Sequence, residues 1–107
     1  MIVIQTELSF SNNGEFSFSA DVFATTKDPN AKKEKEDFEN FILPIATQDI
    51  EDYCAEHTLQ DPSKFNEIMA DILNFIVKTA KQKNFNLSHI GQKENDLFKT
   101  QLEFIRG

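Results

Sequence analysis

Two residues able to act as nucleophile, base or metal ligand lie close together in the chain. They are Cys54 and His57, three apart, with Asp52 and Glu56 beside them. On a helix this spacing sets thiol and imidazole on one face, which is half of a metal site or the start of a Cys/His nucleophile pair. The sequence carries neither further. A structural zinc ion takes about four ligands and a catalytic one about three, and no spacing links His89, the remaining histidine, to the first pair. A nucleophilic cysteine also requires a base, an orienting group and an oxyanion hole, and none is marked. Cys54 continues an apolar helical face and reads as a buried, inert thiol. His57 reads as a residue near a helix C-terminus, where the dipole favours its protonated form. Gly14, Gly91 and Gly107 stand alone, so no phosphate-binding loop is spelled out. The sequence therefore assigns no catalytic residue, metal or cofactor, and the chain reads as non-enzymatic.

Charge is the stronger signal. The 107 residues hold 18 acids against 11 bases, a net −7. Eight of the acids, Glu34, Glu36, Asp37, Glu39, Asp49, Glu51, Asp52 and Glu56, share one window with a single base, Lys35, while the ten acids and ten bases outside it cancel. Concentrating like charge costs self-repulsion that an even distribution would lower. The plain reading of such a run is a solvated helix face. The functional reading is a docking face for a basic protein surface, where complementarity speeds encounter and selects partners, and where carboxylates can imitate nucleic-acid phosphates. The same excess disfavours nucleic acid or an anionic membrane as a direct partner, because no basic surplus is present to neutralise phosphates. Nor are basic residues interleaved with aromatics as on a single-strand platform.

The elements that position these residues can be read from periodicity. The chain is organised around Asp61 to Lys83, where Phe65, Ile68, Met69, Ile72, Leu73, Ile76 and Ala80 recur at helical spacing and Phe75 and Val77 widen the apolar stripe. Asp61 before Pro62 predicts an N-cap with proline at the first helical position, and Lys78, Lys81 and Lys83 suit the other end of the dipole. Residues 1–26 predict a β-hairpin with apolar residues on even positions in both arms. A two-residue Asn13-Gly14 loop would put those two sets on opposite faces. A three-residue loop, Asn12-Asn13-Gly14 with Gly14 left-handed, pairs Phe10 with Phe16, Leu8 with Phe18, Ile4 with Val22 and Ile2 with Ala24. Val3 then falls opposite Phe23, a small apolar patch on the otherwise polar face and a possible contact point for a partner.

Residues 27–35 read as a polar linker with a turn at Asp28-Pro29-Asn30, helix beginning in or just after it, and residues 36–83 as helices. From Phe38 the apolar set keeps helical spacing, but Pro44 predicts a kink or break, with a second helix from about Thr47 to Thr58. Residues 84–107 fit a helix or strands. The alternation of Phe98, Thr100, Leu102 and Phe104, and of Phe85, Leu87 and His89, with a predicted turn over the turn-rich Gly91 to Asp96 between the two runs, favours strands, and a lone two-stranded hairpin needs more strands or a covering layer. The expected fold class is α+β: an N-terminal antiparallel β-hairpin packed on two or three helices, with added C-terminal strands, in one domain over residues 1–107.

Eleven of the twelve aromatics are phenylalanine, which reads mostly as core filler. The single cysteine fits a reducing compartment, and the N-terminus has neither a cationic region nor an apolar run, so a cytoplasmic location is expected. The sequon at Asn86 is then inert. Together these features predict a stoichiometric protein-binding module that docks on a basic partner surface, as inhibitors and immunity proteins do. Its contacts would be Asp49, Glu51, Asp52 and Glu56, preceded by Glu34, Glu36, Asp37 and Glu39. The alternative is a homodimeric chaperone or adaptor that holds a partner through apolar surface or a sheet edge.

Overall fold

Strand alternation sets the register on which the sheet is built. In the computed structural model, β1 (Ile2–Phe10) and β2 (Phe16–Ala24) pair antiparallel with Phe10 opposite Phe16, Leu8 opposite Phe18, Ile4 opposite Val22 and Ile2 opposite Ala24. This is the register of the three-residue loop. The Gly14 N–H donates to the Ser11 carbonyl at 2.9 Å, the Ser11 N–H donates to the Glu15 carbonyl at 2.9 Å, and Gly14 has φ 79°. A side chain at Gly14 would be strained by that φ, and its Cβ would lie 2.7 Å from the Leu59 carbonyl oxygen, so two separate constraints call for glycine.

The structure describes residues 1–24, 29–92 and 98–106, without the side chain of Gln92. The expected hairpin end at Thr25 and Thr26, the first residue of the Asp28-Pro29-Asn30 turn, and positions 93–96 of the predicted turn at 91–96 lie outside the described residues.

Helix starts inside the stretch read as a linker. α1 (Ala31–Asp37) is followed without a break by a π-helical turn (Phe38–Ile42) and α2 (Leu43–Glu56). The expected kink or break at Pro44 is not a gap in the helical run: the irregularity is the π turn just before it, and the second helix starts at Leu43 rather than about Thr47. In the π turn the Leu43 N–H donates to the Phe38 carbonyl, five residues back. This widened turn precedes Pro44, which has no N–H to donate and whose ring crowds the carbonyl four residues back, and lets the chain continue as helix. It also serves packing. Phe38, Ile42, Ala46 and Ile50 are all at most 1% exposed at strict four-residue spacing. In a regular α-helix such a row drifts by roughly 40° per step, and the π turn offsets that drift.

α3 (Phe65–Gln82) is the expected spine, entered through a 3₁₀ turn (Pro62–Lys64). Asp61 is extended, and its carboxylate accepts from the Ser63 N–H at 3.0 Å, the predicted cap. Phe65, Met69, Ile72, Leu73, Ile76 and Ala80 are buried and Ile68, Phe75 and Val77 partly so; Thr79 joins the buried set. Asn84, at φ 66°, turns the chain out of the helix.

The C-terminal segment is two strands, β3 (Phe85–Gln92) and β4 (Lys99–Arg106). The sheet order is β2-β1-β4-β3, antiparallel throughout. Thr100, Leu102 and Phe104 are buried, as their alternation predicts. The expected alternation of Phe85, Leu87 and His89 is broken by a register shift between Leu87 and His89, so that His89 pairs with Glu103 and Ile90 with Leu102. His89 therefore lies on the face away from the core.

The architecture is two-layered, an α+β fold with helices on one face of the sheet. Ile2, Ile4, Leu8, Leu102 and Phe104 meet the Phe38–Ile50 row and the α3 stripe, and burying each such side chain contributes about 1.5–3 kcal/mol. Phe38 anchors the junction, with its ring 5.4 Å from that of Phe85 and 5.3 Å from that of Phe104. Not every phenylalanine is filler. Phe10, Phe23, Phe41 and Phe98 are each at least 41% exposed. Among the described residues no helix is long and apolar enough to cross a membrane.

Candidate functional site

The helical run divides the acidic window into two halves with different surroundings. In the first half, around α1, three of the four acids have cationic partners. Asp37 receives a hydrogen bond from Arg106 at 2.9 Å, Glu39 lies 3.5 Å from Lys35, and the half-buried Glu34 lies 3.7 Å from the Met1 amino group. Arg106 is further fixed over the Phe85 ring at 5.1 Å, a cation–π contact. Glu36 is exposed.

In the second half, on α2, Asp49, Glu51, Asp52 and Glu56 are all exposed, and none forms an ion pair with another described residue. Asp52 accepts one neutral hydrogen bond, from Gln48 at 3.0 Å. Of the four only Glu56 lies in the last turn of α2, which contains no basic residue, so there the negative end of the dipole meets a negative side chain. Asp49 to Asp52 and Asp52 to Glu56 are three and four apart, a spacing at which like charges repel by about 0.2–0.5 kcal/mol per pair.

At about 100° per residue, Asp49, Asp52 and Glu56 fall together on the outer side of α2, while Glu51 points round the other side. The window is therefore not one continuous face. Glu51 looks onto a groove of about 490 Å³ between α2 and the start of β2, with Phe16, Phe18, Ile50, Cys54 and Ala55 among its walls and Glu15 at its rim. One end is closed where Glu15 bridges to Thr58 and the Leu59 N–H donates to the Gly14 carbonyl at 2.8 Å.

Cys54 and His57 do not form a reactive pair. The expected buried thiol is only partly buried and lines the groove; that partial burial first, and the Glu51 carboxylate second, push the Cys54 thiol above its ordinary pKa, which suppresses the thiolate. His57 is engaged elsewhere: its Nδ1–H donates to the Tyr53 carbonyl at 2.8 Å, and its ring stacks on that of Tyr53 at 3.9 Å. Tyr53 in turn donates from its hydroxyl to Asp71 of α3 at 3.0 Å, tying α2 to α3. Burial, then this bond and the Asp71 charge, push the tyrosine up to about 12. Among the described residues no three His, Cys, Asp or Glu side chains converge to hold a metal ion.

The apolar pair Val3 and Phe23 is present in register, with Phe23 48% exposed, but it lies on the sheet face opposite the helices, away from α2. The groove residues Glu15, Phe16, Phe18 and Ala55 had no place among the sequence-based candidates. The readable signal was β2 itself, nine residues with no lysine, proline or glycine.

Fold and site together define a class, a two-layer α+β protein with an acidic helix at one edge of its sheet. Comparison with known protein families, curated proteins and solved structures finds no match to this chain.

Proposed function

We propose that this protein is a non-catalytic, stoichiometric binding module that docks on a basic surface of a partner protein through α2, with Asp49, Glu51, Asp52 and Glu56 as charge partners to lysine and arginine. The observation that carries this reading is that the four acids are exposed, without cationic partners among the described residues, and spaced so that neighbours repel one another, with Glu56 at the helix end where the dipole opposes it. Charge serving only solubility would gain nothing from that placement. The test is affinity capture from lysate with two baits, wild type and the Asp49/Glu51/Asp52/Glu56→Lys variant, both checked for folding by circular dichroism. The expected result is one basic protein held in equimolar amount by wild type, released by raised salt and absent from the variant. Equal retention by both baits would reject α2 as the docking face.

A further inference from the structure

We propose that the groove beside α2 receives an extended segment of the basic partner, which adds to the free edge of β2 as a fifth strand. The proposal rests on the docking reading above and adds the mode of recognition and the form of the ligand.

Backbone geometry comes first. The Leu8 N–H donates to the Phe98 carbonyl, so the even residues of β1 bond toward β4 and the odd ones toward β2. In β2, Ser17, Ser19 and Asp21 therefore bond inward to β1. The N–H and C=O groups of Phe16, Phe18, Ala20 and Val22 point out of the sheet. Past the Glu15–Thr58 bridge, no strand among the described residues pairs with them. The chain at Thr58 and Leu59 already lies against the start of this edge, and the groove lies beside it with Phe16 and Phe18 on one wall and Ile50, Cys54 and Ala55 on the other.

The two sheet edges differ in protection. β3 is interrupted by its register shift and contains Gly91, features that blunt an edge against pairing. β2 runs nine residues in regular register without bulge, proline or lysine. An incoming strand would find main-chain bonds along β2, with side chains of one parity turned toward Ile50, Cys54 and Ala55 on the helix side.

Charge selects the occupant. Glu51 on the helix wall and Glu15 at the rim are exposed and have no ion pair with a described residue, so a lysine or arginine on either face of the added strand meets a carboxylate. A second copy of this chain fits less well, because it carries the same net −7 and would bring Glu15, Asp21 and Glu51 of both copies together. The ligand is thus an extended segment that alternates basic and small apolar residues.

The probe is a short synthetic peptide of alternating lysine and valine, compared with a peptide of the same composition in separate blocks. Two variants keep all four α2 acids. Ala20→Pro removes an outward N–H while leaving the β1 ladder intact, and Ala55→Phe fills the groove without touching β2; circular dichroism confirms that each folds. Wild type should bind the alternating peptide at least tenfold more tightly than the block peptide. Bound peptide should slow amide exchange at Phe18, Ala20 and Val22 more than tenfold and shield Cys54 from maleimide at pH 8, and either variant should lose at least tenfold in affinity. Unchanged exchange at those amides, wild-type affinity in both variants, or no preference for the alternating peptide each overturns strand addition. Docking through α2 would survive such a result if binding of the captured partner still depends on the four acids. Strand addition that is indifferent to salt and to reversal of those acids would instead overturn the docking reading and with it the basic ligand. A dimer seen by light scattering and abolished by Ala20→Pro would assign the edge to a second copy and reject the partner segment.

Discussion

The two halves of the acidic window hold four acids each and stand in opposite circumstances. Around α1, Asp37 is held by Arg106 from the far end of the chain, Glu39 by Lys35 and Glu34 by the Met1 amino group. On α2, four carboxylates stand in solvent without cationic partners among the described residues, and the last of them, Glu56, meets the negative end of the dipole. The first half behaves as structure, with charge satisfied within the fold. The second half carries exposed carboxylates with no cation of the described fold beside them, the charge that the proposed partner surface would neutralise. Charge density alone does not separate the two; the location of the cations does.

The largest expected difference between the halves is in binding. Reversing the four α2 acids should weaken the partner complex at least a hundredfold, about 2.7 kcal/mol at 1.36 kcal/mol per tenfold, whereas Glu36→Lys should change it less than threefold in competition binding. Stability should respond with opposite signs. Asp52→Lys together with Glu56→Lys relieves like-charge pairs and places cations at the helix end, a gain of about 0.5–1 kcal/mol at low salt, read as a melting temperature higher by roughly 2–6 °C. Asp37→Ala should lose up to about 1 kcal/mol, and a double-mutant cycle with Arg106→Ala assigns that loss to the pair. A rise in stability for Asp37→Ala would erase the distinction between the halves.

Smaller effects probe how α2 is held in place. Tyr53 titrates at about 12 in the folded protein against an ordinary 10.0. Between these values the unfolded chain has released the phenolic proton while the folded one keeps it, so stability falls as pH rises from about 10 to about 12. Tyr53→Phe should remove that part of the slope in denaturant melts. The smallest effect is expected at Cys54. Its alkylation at pH 8 should be slower than that of a free thiol, and somewhat faster in Glu51→Gln, since burial is the larger cause of its raised pKa and the carboxylate the lesser.

What could be read from sequence follows the range of the interactions involved. The hairpin register was legible because loop length and alternation constrain each other within a few residues of Gly14. α3 was legible because its cap at Asp61 and its stripe are local. The strands at Phe85–Gln92 and Lys99–Arg106 were legible from alternation, except for the shift after Leu87, which exchanges the faces of His89 and Ile90. Pro44 marked an irregularity but not its form, because a π turn just before it lets the next helix start at Leu43 without a gap. The candidate site was half legible. The eight acids could be named, but Asp37 meets a cation 69 residues away, and that pairing depends on the finished sheet order. The groove escaped for the same reason, since Glu15 and Glu51 become neighbours only when β2 is known to be an edge.

The most direct test of the central claim is the dissociation constant of the captured complex measured across a range of sodium chloride concentrations, for wild type and for the four-acid variant. Docking through α2 predicts that wild-type affinity falls steeply as salt rises and that the variant binds weakly with a nearly flat salt dependence. The same steep dependence in both proteins would place the charge contacts elsewhere on the molecule and contradict the assignment of α2 as the docking face.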